Sequence, residues 1–513
     1  MSSSARRIFN IVTTVVMVAI AVLILSILTI LIVRNLSPKA DGSLETDIRP
    51  QAADTAAPES PEPKPAKTPE PDKADAAPAI PEADVTVETD EEDSGEENAA
   101  GDADDDGDTG ISEDEVTEAD DAEPGETDGE DAETDETETE EAQAGPDADN
   151  ESETTAETEQ QDNEIQSAIN SIAAKYGAAG IQVAVIKNGG IAGTYVYGDA
   201  VKGSRPMTDD SKIRVASVSK VILTMAVMRL CELGRLDIDA DIGGYWGGTV
   251  RNPNHRDVPI TMRQILSHTS SIIVYDYGFS ADGELVRRRF LDGSCFGRST
   301  PGSINSWNYN NYAFAALGLT VEVALDETVN ALASRYLFAP LGIDAAFGSG
   351  SISDTENIVT LYTSNGSVGR SADAQRGTPG STYPGERGEE FPGGLTISAR
   401  DLAKLIATLA GGGQYGGVRL LSPESVSLME SSQGRTGGFE QCLPLRHRTN
   451  IYGESELYYH TGSNYGVYNL ISYNPVTGDG VVVLTSGASG STDSYGIYAV
   501  CGEISEYIYR NYR

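Results

Sequence analysis

The sequence predicts an α+β domain built on an antiparallel sheet. Helices at the N- and C-terminal ends flank this sheet, a helical region is inserted into it, and a transmembrane helix and a disordered linker precede it. Three observations support this prediction. An uncharged apolar run lies near the start of the 513-residue chain, a long acidic tract follows it, and strand patterns then flank a helical middle.

Residues 8–33 contain no charged side chain and are long enough to cross a hydrocarbon core of about 30 Å as a helix. We expect residues 8–33 to be a transmembrane helix and residues 1–7 to be a cytoplasmic tail. A cleaved secretory signal is the alternative, because Arg6 and Arg7 resemble a positive n-region. The apolar run is too long for that, and no A-x-A site follows it.

Residues 34–163 consist mainly of Asp, Glu, Ala, Thr, Pro and Gly, with very few aromatic residues. Such a segment cannot bury enough apolar surface to offset the entropy of ordering, so we expect a disordered acidic linker that extends by self-repulsion. The formal net charge of the chain is -44. This charge argues against a nucleic-acid partner.

The segment from Asp102 to Glu113 matches the calcium-loop pattern D-x-D-x-D-G-x5-E. No amphipathic helix flanks it, although such a loop needs helices to hold its ligands. In a tract this rich in Asp and Gly we attribute the match to chance. The sequence therefore predicts neither a metal nor a cofactor.

Residues 164–513 have the composition of a globular domain. Apolar periodicity predicts helices at Glu164–Tyr176, Ser217–Leu233, Met262–Ser267, Tyr312–Ala324, Glu327–Leu337, Ala399–Leu409 and Tyr495–Tyr509. Branched and aromatic runs predict strands at Ile181–Lys187, Ile191–Tyr197, Leu457–Thr461, Tyr465–Tyr473 and Gly480–Thr485.

An S-x-x-K pair, Ser217 and Lys220, lies at the start of an apolar predicted helix. Residues three apart share one helical face, so the ammonium and the hydroxyl can meet. A lysine partly removed from water has a lowered pKa and can activate a serine nucleophile. Taken alone, the pair reads more simply as a serine N-cap followed by a surface lysine.

Tyr309, Asn310 and Asn311 form a Y-x-N sequence directly before another predicted helix. A phenol there can transfer a proton, and an amide can bind substrate. The simpler reading is a capping turn, because Asn311 is a good N-cap.

His460, Thr461, Gly462 and Ser463 lie at the end of a predicted strand. A glycine lets backbone approach a substrate closely, and the following N–H can point into an oxyanion hole. The simpler reading is a strand end with a turn glycine.

Together these three motifs resemble the class C β-lactamase and DD-peptidase family of serine hydrolases. Four further segments extend the resemblance across nearly all of residues 164–513. These are Ile260–Ser271, similar to the family's T-x-R-x-L-L-S-H-T-S-G, Tyr336–Gly342, Phe391–Lys404 and Leu420–Glu424. Ser271 stands where the family usually has glycine.

The resemblance implies a β-lactamase-like fold and an acyl-enzyme mechanism. In it Ser217 attacks a carbonyl carbon, and Lys220 and Tyr309 move protons. Asn311 binds the substrate amide, and the N–H groups of Ser217 and Ser463 stabilise the oxyanion. Residues 460–463 form the substrate-facing strand, with His460 in a catalytic position and Thr461, Gly462 and Ser463 in binding positions.

His460 departs from the family's lactamases, which usually carry lysine at this position, and is closer to the peptidase and penicillin-binding branch. The charge of a histidine at neutral pH depends on its surroundings. This departure argues against an efficient lactamase. We assign His268 a structural role, and neither His255 nor His447 a catalytic one.

The cysteines Cys231, Cys295, Cys442 and Cys501 are far apart and form no C-x-x-C pair. Two disulfides could form in an oxidising compartment, but spacing does not give their pairing. No G-x-S-x-G elbow is present, which argues against an ordinary α/β-hydrolase.

We therefore expect a membrane-anchored extracellular serine hydrolase at the cell membrane. Its expected substrate is a small molecule or cell-wall peptide, with D-Ala-D-Ala carboxypeptidase or penicillin-binding activity and β-lactams as acylating ligands. The membrane is contacted through residues 8–33. The alternatives are an esterase or amidase of the same fold and a catalytically silent binding or sensor protein.

Overall fold

The computed structural model describes residues 148–274 and 281–512. The predicted transmembrane helix at residues 8–33, nearly all of the predicted linker and the Asp102–Glu113 segment lie outside these ranges. Within them, no helix is both long enough and apolar enough to cross a membrane.

Most of the strands belong to one large antiparallel sheet. In chain order the strands are β1 (Gly180–Lys187), β2 (Gly190–Val201), β3 (Arg205–Pro206), β4 (Ile213–Arg214), β5 (Ala346–Phe347), β6 (Leu361–Tyr362), β7 (Val368–Arg370), β8 (Leu395–Ile397), β9 (Gln414–Tyr415), β10 (Val418–Arg419), β11 (Arg435–Thr436), β12 (Phe439–Gln441), β13 (Arg446–Ile451), β14 (Glu454–Asn464), β15 (Val467–Asn474) and β16 (Asp479–Ser486).

The large sheet has nine strands in the order β11-β12-β13-β14-β15-β16-β1-β2-β3. The first and last long strands of the domain are therefore neighbours, with Val183 of β1 opposite Val483 of β16. A separate three-stranded sheet has the order β4-β8-β5, and β4 ends shortly before Ser217 in the sequence. Antiparallel pairing throughout agrees with the α+β prediction.

The helices fill the two ends and the middle of the domain. In chain order they are α1 (Ala148–Lys175), α2 (Ser219–Glu232), α3 (Met262–Leu266), α4 (Gly283–Asp292), α5 (Asn311–Leu325), α6 (Val329–Ala333), α7 (Ala372–Arg376), α8 (Ala399–Ala410), α9 (Pro423–Glu430) and α10 (Ala499–Asn511).

The large sheet separates two apolar cores because its side chains alternate between its faces. On one face, Ile181 and Val183 of β1 pack with Ile165 of α1 and Ile504 of α10. On the other, Ala184 belongs to the larger core that includes α2, α5 and α8. The terminal helices thus cover one face, as predicted, and the inserted helical region covers the other.

Helix α1 begins at Ala148, inside the segment that the sequence assigned to the linker. The prediction began at residue 164 because the buried apolar positions of this helix begin at Ile165 and repeat at Ile169 and Ile172. The residues before them are polar and give no apolar periodicity. No pattern in the sequence therefore indicated that this helix extends to residues before 164.

Candidate active site

Ser217 lies in a short 3-10 turn, Ala216–Val218, and the α-helix α2 begins two residues later at Ser219. Ala216 has a φ of 51°, a conformation that is costly for a residue with a side chain. The Ser219 hydroxyl donates to Ala216 O over 2.6 Å and accepts from Leu395 N over 3.0 Å. Ser219 thereby ties the strained turn to β8 and fixes the Ser217 side chain at the helix entrance.

Lys220 is fully buried, and its side-chain nitrogen contacts three oxygen atoms. The Nζ atom lies 3.1 Å from Ser217 Oγ, 2.8 Å from Asn311 Oδ1 and 2.7 Å from Pro392 O. The amide and carbonyl oxygens can only accept hydrogen bonds. A neutral amine would therefore donate its two N–H groups to these two oxygens. Its lone pair would then be left to accept a hydrogen bond from the Ser217 hydroxyl.

Burial holds the pKa of Lys220 well below its usual value, and the positive charge of Arg446 lowers it further. Burial raises the pKa of Tyr309, partly offset by a hydrogen bond with Ser217 and by Arg446. These opposite shifts favour a neutral amine beside a protonated phenol. The arrangement suits Lys220 as the proton acceptor and Tyr309 as a proton donor.

The Tyr309–Asn311 loop is anchored by its middle residue. Asn310, rather than Asn311, caps α5, because its Oδ1 accepts from Ala313 N over 2.8 Å. Its Nδ2 donates to Ile272 O and Val274 O, and its backbone N–H donates to His268 Nδ1. Asn311 is therefore free to point at Lys220, and the simpler reading of Asn311 as the cap is wrong.

Strand β14 carries residues 460–463 past the Ser217 turn. A Cβ on Gly462 would come within 2.3 Å of Val215 O and 3.2 Å of Ser217 N. Only glycine permits this approach, which brings the backbone of Ser463 beside the turn. The Ser463 side chain is also hydrogen-bonded to Tyr498.

His460 is buried, and its Nδ1 lies 2.7 Å from Thr461 O, which requires a proton on Nδ1. Its Nε2 has no hydrogen-bond partner among the described residues. Burial, followed by the positive charge of Arg446, holds the pKa of His460 well below its usual value. His460 is therefore a neutral group in the place where the family's lactamases carry lysine.

Arg446 of β13 is a site residue that the sequence analysis missed. Its guanidinium lies over the Tyr309 ring at 5.8 Å and over Phe439 at 4.7 Å. Its charge lowers the pKa values of Lys220 and His460. No motif marked it, because an isolated arginine on a strand has no spacing signal. The pairing of β13 with β14, which places Arg446 opposite Tyr459, brings it to the site.

His268 packs against the Tyr309–Asn311 loop, which agrees with the structural role that we assigned to it from the sequence. It has a φ of 59° and is buried, with its ring 4.5 Å from that of Tyr309. Its Nδ1 accepts from Asn310 N, so it helps to position the Y-x-N loop.

The structure brings the three predicted motifs together on α2, the Tyr309–Asn311 loop and β14. Thr461 contributes its carbonyl oxygen to His460. All four cysteines are free thiols, so none of the disulfides considered from the sequence is present. In the described ranges, no three His, Cys, Asp or Glu side chains are grouped to hold a metal ion.

Comparison with known proteins agrees with this geometry. The beta-lactamase family model matches residues 157–500. Esterase EstB from Burkholderia gladioli is 30% identical over 165 residues, which cover 29% of this chain and 41% of EstB. The chain thus aligns with less than half the length of that relative.

Two solved structures share the fold. The octameric penicillin-binding protein homologue from Pyrococcus abyssi has a TM-score of 0.54 at 21% identity, covering 68% of this chain and 76% of that one. A beta-lactamase/D-alanine carboxypeptidase from Pseudomonas syringae has a TM-score of 0.54 at 17% identity, covering 67% and 98%. The family match extends over more than half of the chain, so this protein belongs to the beta-lactamase family of serine hydrolases.

Proposed function

We propose that this protein is a serine hydrolase that works through an acyl-enzyme on Ser217 and removes a residue with a free carboxylate from a peptide, as a D-Ala-D-Ala carboxypeptidase does. The single observation that carries the hydrolase proposal is the buried Lys220 amine, 3.1 Å from Ser217 Oγ and held by two carbonyl-type oxygens.

The proposed reaction begins when Ser217 Oγ attacks the substrate carbonyl carbon and its proton passes to Lys220 Nζ. The N–H groups of Ser217 and Ser463 stabilise the oxyanion that forms. Tyr309 donates a proton to the leaving nitrogen as the amide bond breaks and recovers one from Lys220. Water then attacks the acyl carbon while the same two groups take a proton from it, the bond to Ser217 Oγ breaks, and that proton passes to Ser217 Oγ as the acid leaves.

The proposal of a carboxylate-bearing leaving group rests on the charges at residues 446 and 460. His460 is neutral in its buried position, so it offers no positive charge to a carboxylate. Arg446 lies over Tyr309 and forms no ion pair within 4.0 Å in the part of the chain that the structure describes. A guanidinium is well suited to hold a carboxylate through two hydrogen bonds. The structural similarity to the beta-lactamase/D-alanine carboxypeptidase from Pseudomonas syringae supports this choice.

An esterase is the second candidate, supported by the match to EstB. An ester with a neutral leaving group would not need Arg446. The two candidates are therefore separated by comparing peptide and ester substrates with and without a terminal carboxylate.

We further propose that the enzyme is anchored in the cell membrane with its catalytic domain outside the cell. The support for this is the uncharged run at residues 8–33 and the acidic tract between it and the domain, which would act as a spacer. Protease treatment of intact cells, which should remove the catalytic domain from the anchor, tests this arrangement.

The acyl-enzyme is tested by labelling the full chain with a fluorescent penicillin and denaturing it before electrophoresis. We expect persistent label on the wild type and none on Ser217→Ala, with Lys220→Ala labelled far more slowly because its base is lost. Circular dichroism of Ser217→Ala should match the wild type. Equal labelling of wild type and Ser217→Ala would overturn the assignment of the nucleophile.

A further inference from the structure

The pocket beside Ser217 carries four charged side chains, and two of them neutralise each other. The lining includes Ser217, Arg214, Arg370, Glu389 and Glu390. Arg214 Nη1 lies 2.8 Å from Glu390 Oε2, and both side chains are almost fully buried. This ion pair forms a wall of the pocket and leaves no net charge there.

Arg370 has no such partner. Its guanidinium donates to the Tyr465 hydroxyl over 3.0 Å and to Thr378 Oγ1 over 2.5 Å, and lies over the Tyr465 ring at 5.1 Å. These neutral contacts fix its position. Arg370 forms no ion pair within 4.0 Å in residues 148–274 and 281–512, and its buried Nε lacks a hydrogen-bond partner in the same ranges.

Glu389 is the opposite charge on the same pocket. It is half-buried, and burial raises the pKa of its carboxyl group. It forms no ion pair within 4.0 Å with the parts of the chain that the structure describes. Its neighbour Glu390, by contrast, is the residue paired with Arg214.

Two opposite charges therefore line one pocket without contacting each other. Partly desolvated charges are costly unless something pairs with them. The immobilised Arg370 cannot easily swing to Glu389, because Tyr465 and Thr378 hold it. A ligand that carries both signs would pair with both residues at once, and a neutral ligand would leave both unpaired.

We propose that this pocket binds the acyl part of the substrate through an amino-acid head group, with Arg370 holding its carboxylate and Glu389 its ammonium. This proposal rests on the proposed function, since the pocket includes Ser217 and would present the bound acyl group to it. The leaving group is recognised elsewhere, by Arg446 over Tyr309. Arg370 and Arg446 thus bind opposite ends of one substrate.

Three probes of similar size separate the contributions of the two charges. Norleucine carries both an ammonium and a carboxylate, pentylamine carries only the ammonium, and hexanoate carries only the carboxylate. None of them contains a bond that Ser217 can cleave. Calorimetric titration of each probe into the purified full chain therefore measures binding to the pocket without requiring turnover.

We expect norleucine to bind roughly tenfold or more tightly than either singly charged probe, as for charge pairs in a partly buried site. Glu389→Gln should reduce norleucine binding to the level of hexanoate, and Arg370→Gln to that of pentylamine. Arg370→Lys keeps the charge and should restore part of the loss. Glu506→Gln, an exposed change on α10, should leave norleucine binding unchanged.

Equal binding of the three probes to the wild type would overturn the proposal, as would unchanged norleucine binding in Glu389→Gln. Penicillin labelling of the same preparations separates this result from the proposed function. Labelling without norleucine preference rejects the head-group pocket alone, and norleucine preference without labelling rejects the acyl-enzyme alone.

Discussion

In residues 148–274 and 281–512, no carboxylate contacts Lys220 to offset the charge of Arg446. Among the described residues, the hydrogen-bond partners of Lys220 Nζ are a serine hydroxyl, an amide oxygen and a backbone carbonyl. Burial and the nearby guanidinium therefore both favour its neutral form. The same guanidinium favours ionisation of Tyr309, although burial of the phenol acts in the opposite direction and is larger.

Arg446→Gln tests both roles of this residue. Acylation requires neutral Lys220, so kcat/KM rises with pH as Lys220 loses its proton. Arg446 lowers the pKa of Lys220, and its removal should therefore move the acidic limb of the kcat/KM profile to higher pH. We also expect kcat/KM to fall roughly ten- to a hundredfold for substrates with a leaving-group carboxylate, and to fall less for neutral esters.

The control for this experiment is Arg435→Gln, which removes an exposed arginine from β11 at the sheet edge. Its pH profile and substrate preference should match those of the wild type. An acidic limb that stays in place in Arg446→Gln would contradict the electrostatic role of Arg446.

Ser217, Lys220 and Tyr309 could be predicted from sequence because each lies in a short motif, S-x-x-K or Y-x-N, and these motifs together resemble a known family. Arg446, Arg370 and Glu389 could not, because they reach the site through strand pairing and loop packing between distant segments. The neutrality of His460 was also beyond the sequence. It depends on burial and on neighbouring charges that only the fold supplies.

Helix α5 is the element that presents Tyr309 and Asn311, and its cap holds both. Asn310 accepts a hydrogen bond from Ala313 N and donates to Ile272 O and Val274 O. The cap and the loop anchor are therefore one side chain. A change at Asn310 alters the helix end and the catalytic loop together.

Asn310→Ala should lower the free energy of unfolding by about 1–2 kcal/mol, since it removes a helix cap and leaves two carbonyls without a donor. It should also slow penicillin labelling, because Tyr309 and Asn311 lose their support. Asn310→Asp is the matched variant, since it keeps the cap acceptor and loses only the two donated bonds. Urea unfolding and labelling rates measure both effects.

If Asn310→Ala labelled as fast as the wild type, the loop would be positioned by other contacts. If Asn310→Asp were as unstable as Asn310→Ala, the cap itself would contribute little.

Elements were predicted where the pattern of their apolar residues was clear, whatever their length. Strand β1 and helix α8 match their predictions to within one residue at each end. Strand β1 is a continuous buried run rich in branched residues, and the buried residues of α8 recur with helix periodicity. Helices α4 and α9 were missed. Only Val286 and Phe290 are buried in α4, too few positions to show a period, and α9 has eight residues. The two-residue strands β4 and β5 exist only through pairing with β8.

Across the domain, Glu322 connects helix α5 to the start of α6 and to a loop 63 residues further along the chain. Its buried carboxyl group on α5 accepts from Val329 N over 2.9 Å and from Gly385 N over 2.8 Å. Gly385 belongs to the segment that carries Glu389. Burial raises the pKa of Glu322 to about 7, with the two backbone hydrogen bonds partly offsetting it.

This raised pKa gives a testable dependence of stability on pH. The contribution of Glu322 to the free energy of unfolding is fully present below the unfolded pKa of about 4.5 and is lost as pH rises to about 7. Between these pH values the carboxyl group ionises in the unfolded chain but stays protonated in the folded protein. The loss from this group is about 3 kcal/mol at most. Urea unfolding of wild type and Glu322→Gln at pH 5 and pH 8 should show a steeper decrease in the wild type.

Parallel curves for the two proteins would contradict the pKa assigned to Glu322. Glu506→Gln serves as the control, since its exposed carboxylate should leave the pH dependence of the wild type unchanged.

The antiparallel sheet with helices at both ends was predictable for the domain as a whole, but the order of its strands was not. No local pattern shows that β16 inserts between β15 and β1, because this pairing joins residues about 300 positions apart.

That insertion has a consequence for how the protein is made. During synthesis, the hairpin of β1 and β2 emerges early and has no partner on its inner edge until residues 479–486 follow. The catalytic turn is synthesised long before β14, the strand that lies against it. A nascent chain therefore carries Ser217 and Lys220 without an active site while the whole segment from Lys220 to β14 is synthesised. Activity begins only after almost the entire polypeptide has left the ribosome.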